Sequence, residues 1–122
     1  MNILIVDDEQ SYRKALEMFL QSLGWKVYSA VHGADGLEKL RANKIDIIVS
    51  DVYMPVMDGL KFYKAVRATP EFASIPFLFV SGYDDDHTRE AVGSSKGSGF
   101  LKKTAPPNQL KEKLEQLMKS PK

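Results

Sequence analysis

The sequence of 122 residues contains no cysteine, a single tryptophan and no long apolar run. Without cysteine the chain cannot form disulfide bonds. No apolar stretch approaches the roughly 20 residues that a membrane-spanning helix needs. The first apolar run has four residues and leads directly into acids, unlike a signal peptide. The net charge of +1 gives no reason to expect nucleic acid or an anionic membrane as a partner. We therefore expect a cytoplasmic protein that binds neither.

Five short apolar runs alternate with stretches of helical periodicity. The runs span residues 3–6, 27–30, 45–49, 76–80 and 100–101. Several are continuously apolar, as in strands that are buried on both faces. The alternation predicts an α/β fold, namely a doubly wound (βα)5 flavodoxin-like sandwich with a five-stranded parallel sheet in the order 2-1-3-4-5. No linker divides the chain, so we expect one domain over residues 1–120.

Local signals mark where several of the helices begin and end. Gly24 follows the first helix as a stop signal, Asp58 is a good N-cap for the third, and Pro106-Pro107 begins the fifth. The fourth predicted helix begins near Asp84 and ends early, because glycine and serine dominate the segment that follows. One face of the first helix is predicted to carry Tyr12, Ala15, Leu16, Phe19 and Leu23.

Polar side chains follow four of the predicted strands. In a doubly wound sheet, ligands bind beyond the carboxyl ends of the strands, at the switch between strands 1 and 3. We therefore expect three carboxylates, a hydroxyl and a lysine to meet at one edge of the sheet. The residues are Asp7 and Asp8 after strand 1, Asp51 after strand 3, Ser81 after strand 4, and Lys102 and Lys103 after strand 5.

This combination of side chains suits phosphoryl transfer to a carboxylate. Clustered carboxylates repel one another unless a cation is present, and oxygen ligands favour Mg²⁺, with Mn²⁺ as a substitute. Asp51 is the best candidate nucleophile, and Asp7 and Asp8 would hold the metal. A lysine would neutralise the phosphoryl oxygens, and the Ser81 hydroxyl would donate a hydrogen bond to one of them.

Each of these residues also has a purely structural interpretation. Asp8 or Ser11 could cap the first helix, and Asp51 could form a turn. Ser81 could belong to a turn before Gly82, and a lysine at a strand end is usually solvated. The hypothesis of a chemical site therefore depends on the joint position of these residues at one sheet edge.

Four segments resemble the receiver domain of two-component response regulators, similar to the chemotaxis-type single-domain regulators. They are residues 5–9 (IVDDE), 51–59 (DVYMPVMDG), 80–82 (VSG) and 100–103 (FLKK). The resemblance extends over residues 1–118. It implies that Asp51 is the phosphoacceptor and that Asp7, Asp8, Asp51 and the backbone carbonyl of Tyr53 bind Mg²⁺. It also implies that Ser81 and Phe100 are the hydroxyl and the aromatic residue of the conformational switch.

The resemblance also selects between the two neighbouring lysines. The family places its lysine 22 residues after the switch hydroxyl and three after the switch aromatic, and both spacings select Lys103. A proline joined by a cis peptide bond normally follows that lysine, whereas Thr104 follows here. Either the loop turns differently, or the site sustains a non-proline cis bond that costs about 3 kcal/mol.

As a receiver domain, the chain would take its phosphoryl group from a histidine kinase or a phosphotransfer protein. It would contact a downstream partner through the face of helix 4, strand 5 and helix 5, as a monomer or weak dimer. It would be a signalling domain that catalyses only its own phosphorylation and dephosphorylation, not an enzyme acting on other substrates. The alternative is a degenerate receiver that binds proteins without phosphorylation.

Two other classes are disfavoured by single residues. A haloacid-dehalogenase-type phosphatase requires an aspartate two residues after the nucleophile, where Tyr53 stands. A flavodoxin-like nucleotide binder requires a phosphate loop after strand 1, where the acids at residues 7–9 would repel a phosphate.

Overall fold

The computed structural model describes residues 1–82 and 97–119, and within these ranges strands and helices alternate. The fourth predicted helix lies outside the described residues. The last described helix, α4, therefore corresponds to the fifth predicted helix. The elements are β1 (Asn2–Val6), α1 (Gln10–Ser22), β2 (Lys26–Ala30), α2 (Gly33–Ala42), β3 (Ile47–Asp51), α3 (Gly59–Ala68), β4 (Phe77–Ser81), β5 (Ser98–Lys102) and α4 (Pro107–Lys119).

The five strands form one parallel sheet in the order β2-β1-β3-β4-β5, which confirms the predicted fold. Strand β1 lies between β2 and β3, so the chain changes direction across the sheet at the β1–β3 pair. In the register of the sheet, Val6 lies beside Ser50, and Asp51 lies beside Val80. The carboxyl ends of the central strands therefore lie at nearly the same level.

Helices cover both faces of the sheet. On one face, α2 and α3 pack over a core that includes Phe62, Phe77 and Phe79, whose side chains are fully buried. On the other face, α1 and α4 pack through leucines such as Leu20 and Leu114. Strands β1, β3 and β4 contribute apolar side chains to both cores, which explains their continuously apolar sequences.

The structure differs from the predicted helix faces at some positions. In α1, Leu20 is fully buried although it was not included in the predicted face, and Ala15 is exposed. In α3, Phe62 is fully buried in the aromatic core, although the periodicity of the sequence predicts a buried face of Leu60, Tyr63, Ala65 and Val66. Both buried residues lie one helical turn from predicted core positions, so the apolar stripe is wider than predicted.

The start and end of β3 also differ from the apolar run that predicts it. The strand begins at Ile47 rather than Ile45 and continues through Asp51. Asp46 lies just before β3, at the amino end of the strands, where its carboxylate accepts a hydrogen bond of 2.8 Å from the Asn2 backbone N–H. The Asp46 N–H in turn donates to the Asn2 carbonyl, also at 2.8 Å.

Helix ends follow the predicted signals. Gly24 lies beyond the end of α1 and has a φ of +85°, and its N–H donates to the carbonyl of Gln21 in the last turn of that helix. The Asp58 carboxylate accepts from the Lys61 N–H at 2.8 Å and caps α3. Within the described ranges, no helix is long and apolar enough to cross a membrane.

Candidate functional site

Asp7 follows β1 at the centre of the carboxyl edge and is fully buried. Its backbone N–H donates to the Ala30 carbonyl of β2 at 3.0 Å, which continues the sheet by one residue. Its carbonyl accepts from the Arg13 guanidinium at 2.7 Å, and its Oδ1 accepts from the Glu9 N–H at 2.9 Å. The strand, the loop and α1 therefore fix the position of this carboxylate together.

Asp51 is the last residue of β3 and is only 8% exposed. Its Oδ1 accepts a hydrogen bond of 2.8 Å from the Val52 N–H. The neighbouring Ser50 hydroxyl donates to the Asp51 carbonyl at 2.9 Å. The Asp51 side chain is thus held at the sheet edge by its own backbone surroundings.

The start of α3 lies so close to the end of β3 that position 59 requires a glycine. The Gly59 N–H donates to the Val52 carbonyl at 2.7 Å, which brings the start of α3 against the end of β3. A Cβ at position 59 would overlap the Asp51 carbonyl oxygen and lie 2.9 Å from the Val52 Cα. Because both of these neighbours are backbone atoms, a side chain here would displace the residue that carries the candidate nucleophile.

Lys103 brings the acidic residues together around one ammonium group. Its Nζ lies 2.9 Å from Asp7 Oδ2, 3.1 Å from Glu9 Oε1 and 3.2 Å from Asp51 Oδ2. The contacts with Glu9 and Asp51 have hydrogen-bond geometry. The contact with Asp7 Oδ2 is an ion pair, and this buried oxygen has no other charged or hydrogen-bonding partner within the described part of the chain.

The loop after β5 positions Lys103 without a cis peptide bond. The described residues contain none, so Thr104 follows Lys103 through a trans peptide, and the loop turns differently from the proline pattern. The Ala105 N–H donates to the Lys102 carbonyl at 3.0 Å, which closes a tight turn. The Lys103 N–H donates to the Ser81 carbonyl at 2.8 Å, which anchors the lysine to the end of β4.

The charges at this edge shift the pKa values of the candidate residues. Burial, together with the negative charge of Asp7, raises the pKa of Asp51 from 3.8 to about 6, although Lys103 opposes the rise. Burial alone would lower the pKa of Lys103, but the carboxylates of Asp7, Asp51 and Glu9 outweigh burial and raise it. The lysine therefore stays charged, while Asp51 is a carboxylate whose ionised form is disfavoured.

Asp7, Asp8 and Asp51 form a group that could hold a metal ion. One carboxylate oxygen from each lies within 4.8 Å of the others, and Asp8 is exposed. Helix α1 has Glu9 as its N-cap without a side-chain cap bond, so neither Asp8 nor Ser11 caps it. Within the described residues the buried Asp7 Oδ2 has only the Lys103 ammonium as a partner, and the donor atoms of the group are all oxygens. This donor set fits Mg²⁺ or Mn²⁺.

A cleft of about 320 Å³ opens over Asp51. It is lined by Glu9, Asp51, Tyr53, Ser81, Gly82 and Lys103. Ser81 is fully buried at the end of β4, whereas Tyr53 is 58% exposed. The structure thus brings six of the predicted site residues to one edge: Asp7, Asp8, Asp51, Tyr53, Ser81 and Lys103.

Phe100 lies apart from this cleft. It is half-buried on β5 beside Phe79 and packs against the aromatic core under α3. It also lines a separate hollow of about 410 Å³ beside Lys102 and Thr104, next to the start of α4. The larger hollow therefore lies beside the predicted switch aromatic and not at the carboxylate cluster.

Two residues with direct contacts to Lys103 were not among the predicted site residues. Glu9 is the third acid of the run after β1, and that run was the available signal for it. Tyr12, in the first turn of α1, places its ring centroid 4.7 Å from Lys103 Nζ. No sequence signal marks this contact, because it depends on how α1 packs beside the β5–α4 loop.

Comparison with known proteins identifies the family. The response regulator receiver domain matches residues 3–115. The chain therefore belongs to the family of receiver domains of two-component systems, as its sequence motifs predict.

Individual relatives agree with this assignment. The chain is 35% identical over 118 residues to the sensor kinase CckA of Brucella abortus and 34% identical over 111 residues to the chemotaxis protein CheV3 of Helicobacter pylori. These matches cover 95% and 83% of this chain, but only 12% and 36% of the relatives. The chain thus spans well under half the length of these proteins.

Solved structures show the same fold over nearly the whole chain. The chemotaxis response regulator CheY4 of Vibrio cholerae is 34% identical, with a TM-score of 0.83, and the match covers 95% of this chain and 97% of that one. The receiver domain of the hybrid histidine kinase CckA is 29% identical, with a TM-score of 0.77, over 98% and 100% of the two chains.

Proposed function

We propose that this receiver domain is a phosphoacceptor switch. A histidine kinase or a phosphotransfer protein presents a phosphohistidine, and Asp51 accepts the phosphoryl group in a reaction that depends on Mg²⁺ or Mn²⁺. The observation that carries the proposal is the contact of one lysine ammonium with Asp7, Glu9 and Asp51 at the cleft over Asp51. A single domain over residues 1–120 and a cytoplasmic location remain predictions.

The transfer exchanges one bond of phosphorus for another. A carboxylate oxygen of Asp51 attacks the phosphorus, a P–O bond forms, and the P–N bond to the donor histidine breaks. The electron pair of that bond returns to the imidazole nitrogen. Water later attacks the acyl phosphate, releases inorganic phosphate and restores the carboxylate. The domain thus acts only on its own phosphoryl group and has no separate substrate.

Asp51 and Lys103 have complementary roles in this proposal. The attacking carboxylate must be ionised, and a pKa of about 6 keeps it mostly so near neutral pH. The Lys103 ammonium neutralises negative charge on the transferring phosphoryl oxygens. The Ser81 hydroxyl, at the end of β4, donates a hydrogen bond to one of these oxygens after transfer.

Asp7, Asp8, Asp51 and the backbone carbonyl of Tyr53 would hold the metal ion. When bound, the ion supplies positive charge that offsets the carboxylates and the phosphoryl oxygens. The cluster geometry and the buried Asp7 Oδ2 support this part of the proposal.

Phosphorylation would change the surface around β5 through Ser81 and Phe100. Phe100 is half-buried between the aromatic core and the hollow beside α4, so a rotation of its ring would alter that hollow. We propose that a downstream partner contacts the face formed by the predicted fourth helix, β5 and α4. A monomer or weak dimer, and no direct binding to nucleic acid or membranes, are part of the same proposal.

Phosphoryl transfer can be tested with a small donor and with a protein donor. We expect acetyl phosphate and Mg²⁺ to add one phosphoryl group to the wild-type chain, detected by intact mass and mapped to Asp51. We expect faster transfer from a phosphorylated histidine kinase chosen from a panel. EDTA and the Asp51→Asn variant should abolish both signals.

A matched acidic control separates the site from general charge effects. Glu38→Gln removes an exposed carboxylate on α2 and should be phosphorylated like the wild type. If the wild type acquires no phosphoryl group from any donor and does not respond to beryllofluoride with Mg²⁺, the proposal fails. The phosphorylation-independent receiver would then be the better description.

A further inference from the structure

The Lys103 ammonium has a fourth neighbour besides its three carboxylates. The ring of Tyr12 lies with its centroid 4.7 Å from Lys103 Nζ, within the range of a cation–π contact. The carboxylates of Asp7, Glu9 and Asp51 supply the other contacts of the same group. The ammonium is therefore enclosed by negative charge and by the face of one aromatic ring.

The position of the Tyr12 ring is set by packing. Tyr12 is half-buried in the first turn of α1 and packs against the core that α1 and α4 form with one face of the sheet. It lines a groove of about 240 Å³ together with Leu16, Phe19 and Lys103. Since the core holds one side of the ring, the ring can hold the lysine on the other.

We propose that Tyr12 is a positioning residue for Lys103, whose ammonium its ring holds at the carboxylate cluster for contact with an incoming phosphoryl oxygen. The functional part rests on the proposed phosphoacceptor role of Asp51. Lysine has a flexible four-carbon stem and a compact charge, so nearby carboxylates attract it without fixing its approach. An aromatic face restricts that approach and also excludes water from one side of the charge.

The contact needs the ring but not the hydroxyl group. The Tyr12 hydroxyl makes no hydrogen bond within residues 1–82 and 97–119. Burial raises the pKa of Tyr12 to about 12, so the side chain stays a neutral phenol at ordinary pH. Phenylalanine should therefore replace tyrosine, whereas leucine would fill similar space without a π face.

The test compares Tyr12→Leu, Tyr12→Phe and a matched control. Phe19→Leu removes a ring from the same helix and the same groove, and within the described ranges this ring makes no cation–π contact with Lys103. The rate of Asp51 phosphorylation is measured with acetyl phosphate and Mg²⁺, which requires no protein donor. In parallel, NMR of unphosphorylated protein measures the ring-current shift of the Lys103 side-chain protons.

We expect Tyr12→Leu to slow phosphorylation about three- to tenfold and to abolish the upfield shift of the Lys103 protons. Tyr12→Phe should keep both properties close to the wild type, and so should Phe19→Leu. Circular dichroism and urea unfolding identify a variant that has lost its fold. In that case the ring-current shift in wild type and Tyr12→Phe still decides whether the ring contacts Lys103.

Three results would overturn the proposal: an unchanged rate in a folded Tyr12→Leu, an equal loss in Tyr12→Phe and Tyr12→Leu, or Lys103 protons without a ring-current shift in the wild type. Failure of the proposed function gives a different pattern. The wild type would then remain unphosphorylated, while the NMR measurement would still report whether Tyr12 holds Lys103.

Discussion

Replacing Asp51 with asparagine should stabilise the folded protein at neutral and alkaline pH when no metal is bound. The pKa of Asp51 is about 6 in the folded chain, above its ordinary value of 3.8, because the carboxylate is buried beside Asp7. Between these two pH values the folded state holds a proton that the unfolded chain has released. The free energy of unfolding therefore falls as the pH rises from about 4 to about 6. Above that range the ionised carboxylate lowers it by a constant amount.

The size of this cost follows from the difference between the two pKa values. A pKa raised from 3.8 to about 6 corresponds to at most about 3 kcal/mol. The cleft over Asp51 is open to solvent, and screening reduces the expected effect to about 1–2 kcal/mol. For a domain of this size, that difference should raise the melting temperature of Asp51→Asn by about 4–8 °C.

Urea unfolding in EDTA can measure the difference, with the fluorescence of Trp25 as the probe. Trp25 is the single tryptophan. It is half-buried and packs against the core that α1 and α4 form with one face of the sheet. We expect Asp51→Asn to exceed the wild type in stability at about pH 8 and to match it near pH 4. Glu38→Gln, on the exposed surface of α2, should show no such pH-dependent gain.

Equal stability of Asp51→Asn and the wild type at alkaline pH would refute the argument that burial and Asp7 disfavour the Asp51 carboxylate. Excess Mg²⁺ offers a second check. If the cluster binds the ion, Mg²⁺ should raise the stability of the wild type more than that of Asp51→Asn, since binding to the folded state alone is stabilising.

Three further predictions concern the residues around the cluster. Gly59→Ala should lower the free energy of unfolding by about 2–4 kcal/mol in urea titrations, because its Cβ would overlap the Asp51 carbonyl. At Gly82, no atom of the described residues lies within 4 Å of an added Cβ, so Gly82→Ala should change stability little. Lys103→Met should slow phosphorylation from acetyl phosphate at least about 100-fold and also destabilise the metal-free protein, and a rate close to the wild type would contradict the role given to the ammonium. Val56 has a φ of +67° and is 80% exposed, so Val56→Gly should raise stability by about 1 kcal/mol, and a lower melting temperature would show that this backbone is not strained.

The sequence predicts the arrangement of the strands well because burial determines their composition. Strands β1, β3 and β4 are covered on both faces, and their continuously apolar runs predict a parallel sheet. Once the strand order is predicted, the polar residues after each run must share one edge. The convergence of Asp7, Asp51 and one of the two lysines after strand 5 was therefore predictable from topology, and the family spacings then selected Lys103.

Features that depend on side-chain packing or loop geometry were not predictable in this way. The ring of Tyr12 reaches Lys103 only because α1 and the β5–α4 loop lie side by side, and no spacing in the sequence encodes that distance. The spacings select Lys103 but leave open how Thr104 follows it. A loop with a trans peptide and a loop with a cis peptide contain the same number of residues, so the sequence does not distinguish them. The later start of β3 depends on Asp46, whose carboxylate and N–H both pair with Asn2.

One imbalance of charge connects the stability of this site with its proposed chemistry. Asp7, Glu9 and Asp51 share one ammonium, and Asp8 adds a further carboxylate beside Asp7 and Asp51. In the metal-free protein Lys103 therefore stabilises the fold by partly offsetting the acids, and this is why removing Asp51 should stabilise while removing Lys103 should destabilise. A divalent cation held by the aspartates would reduce the excess negative charge, and the donors of Lys103 could then turn to a phosphoryl oxygen. Opposite stability changes in Asp51→Asn and Lys103→Met, with a loss of phosphorylation in both, would be the combined signature of this site.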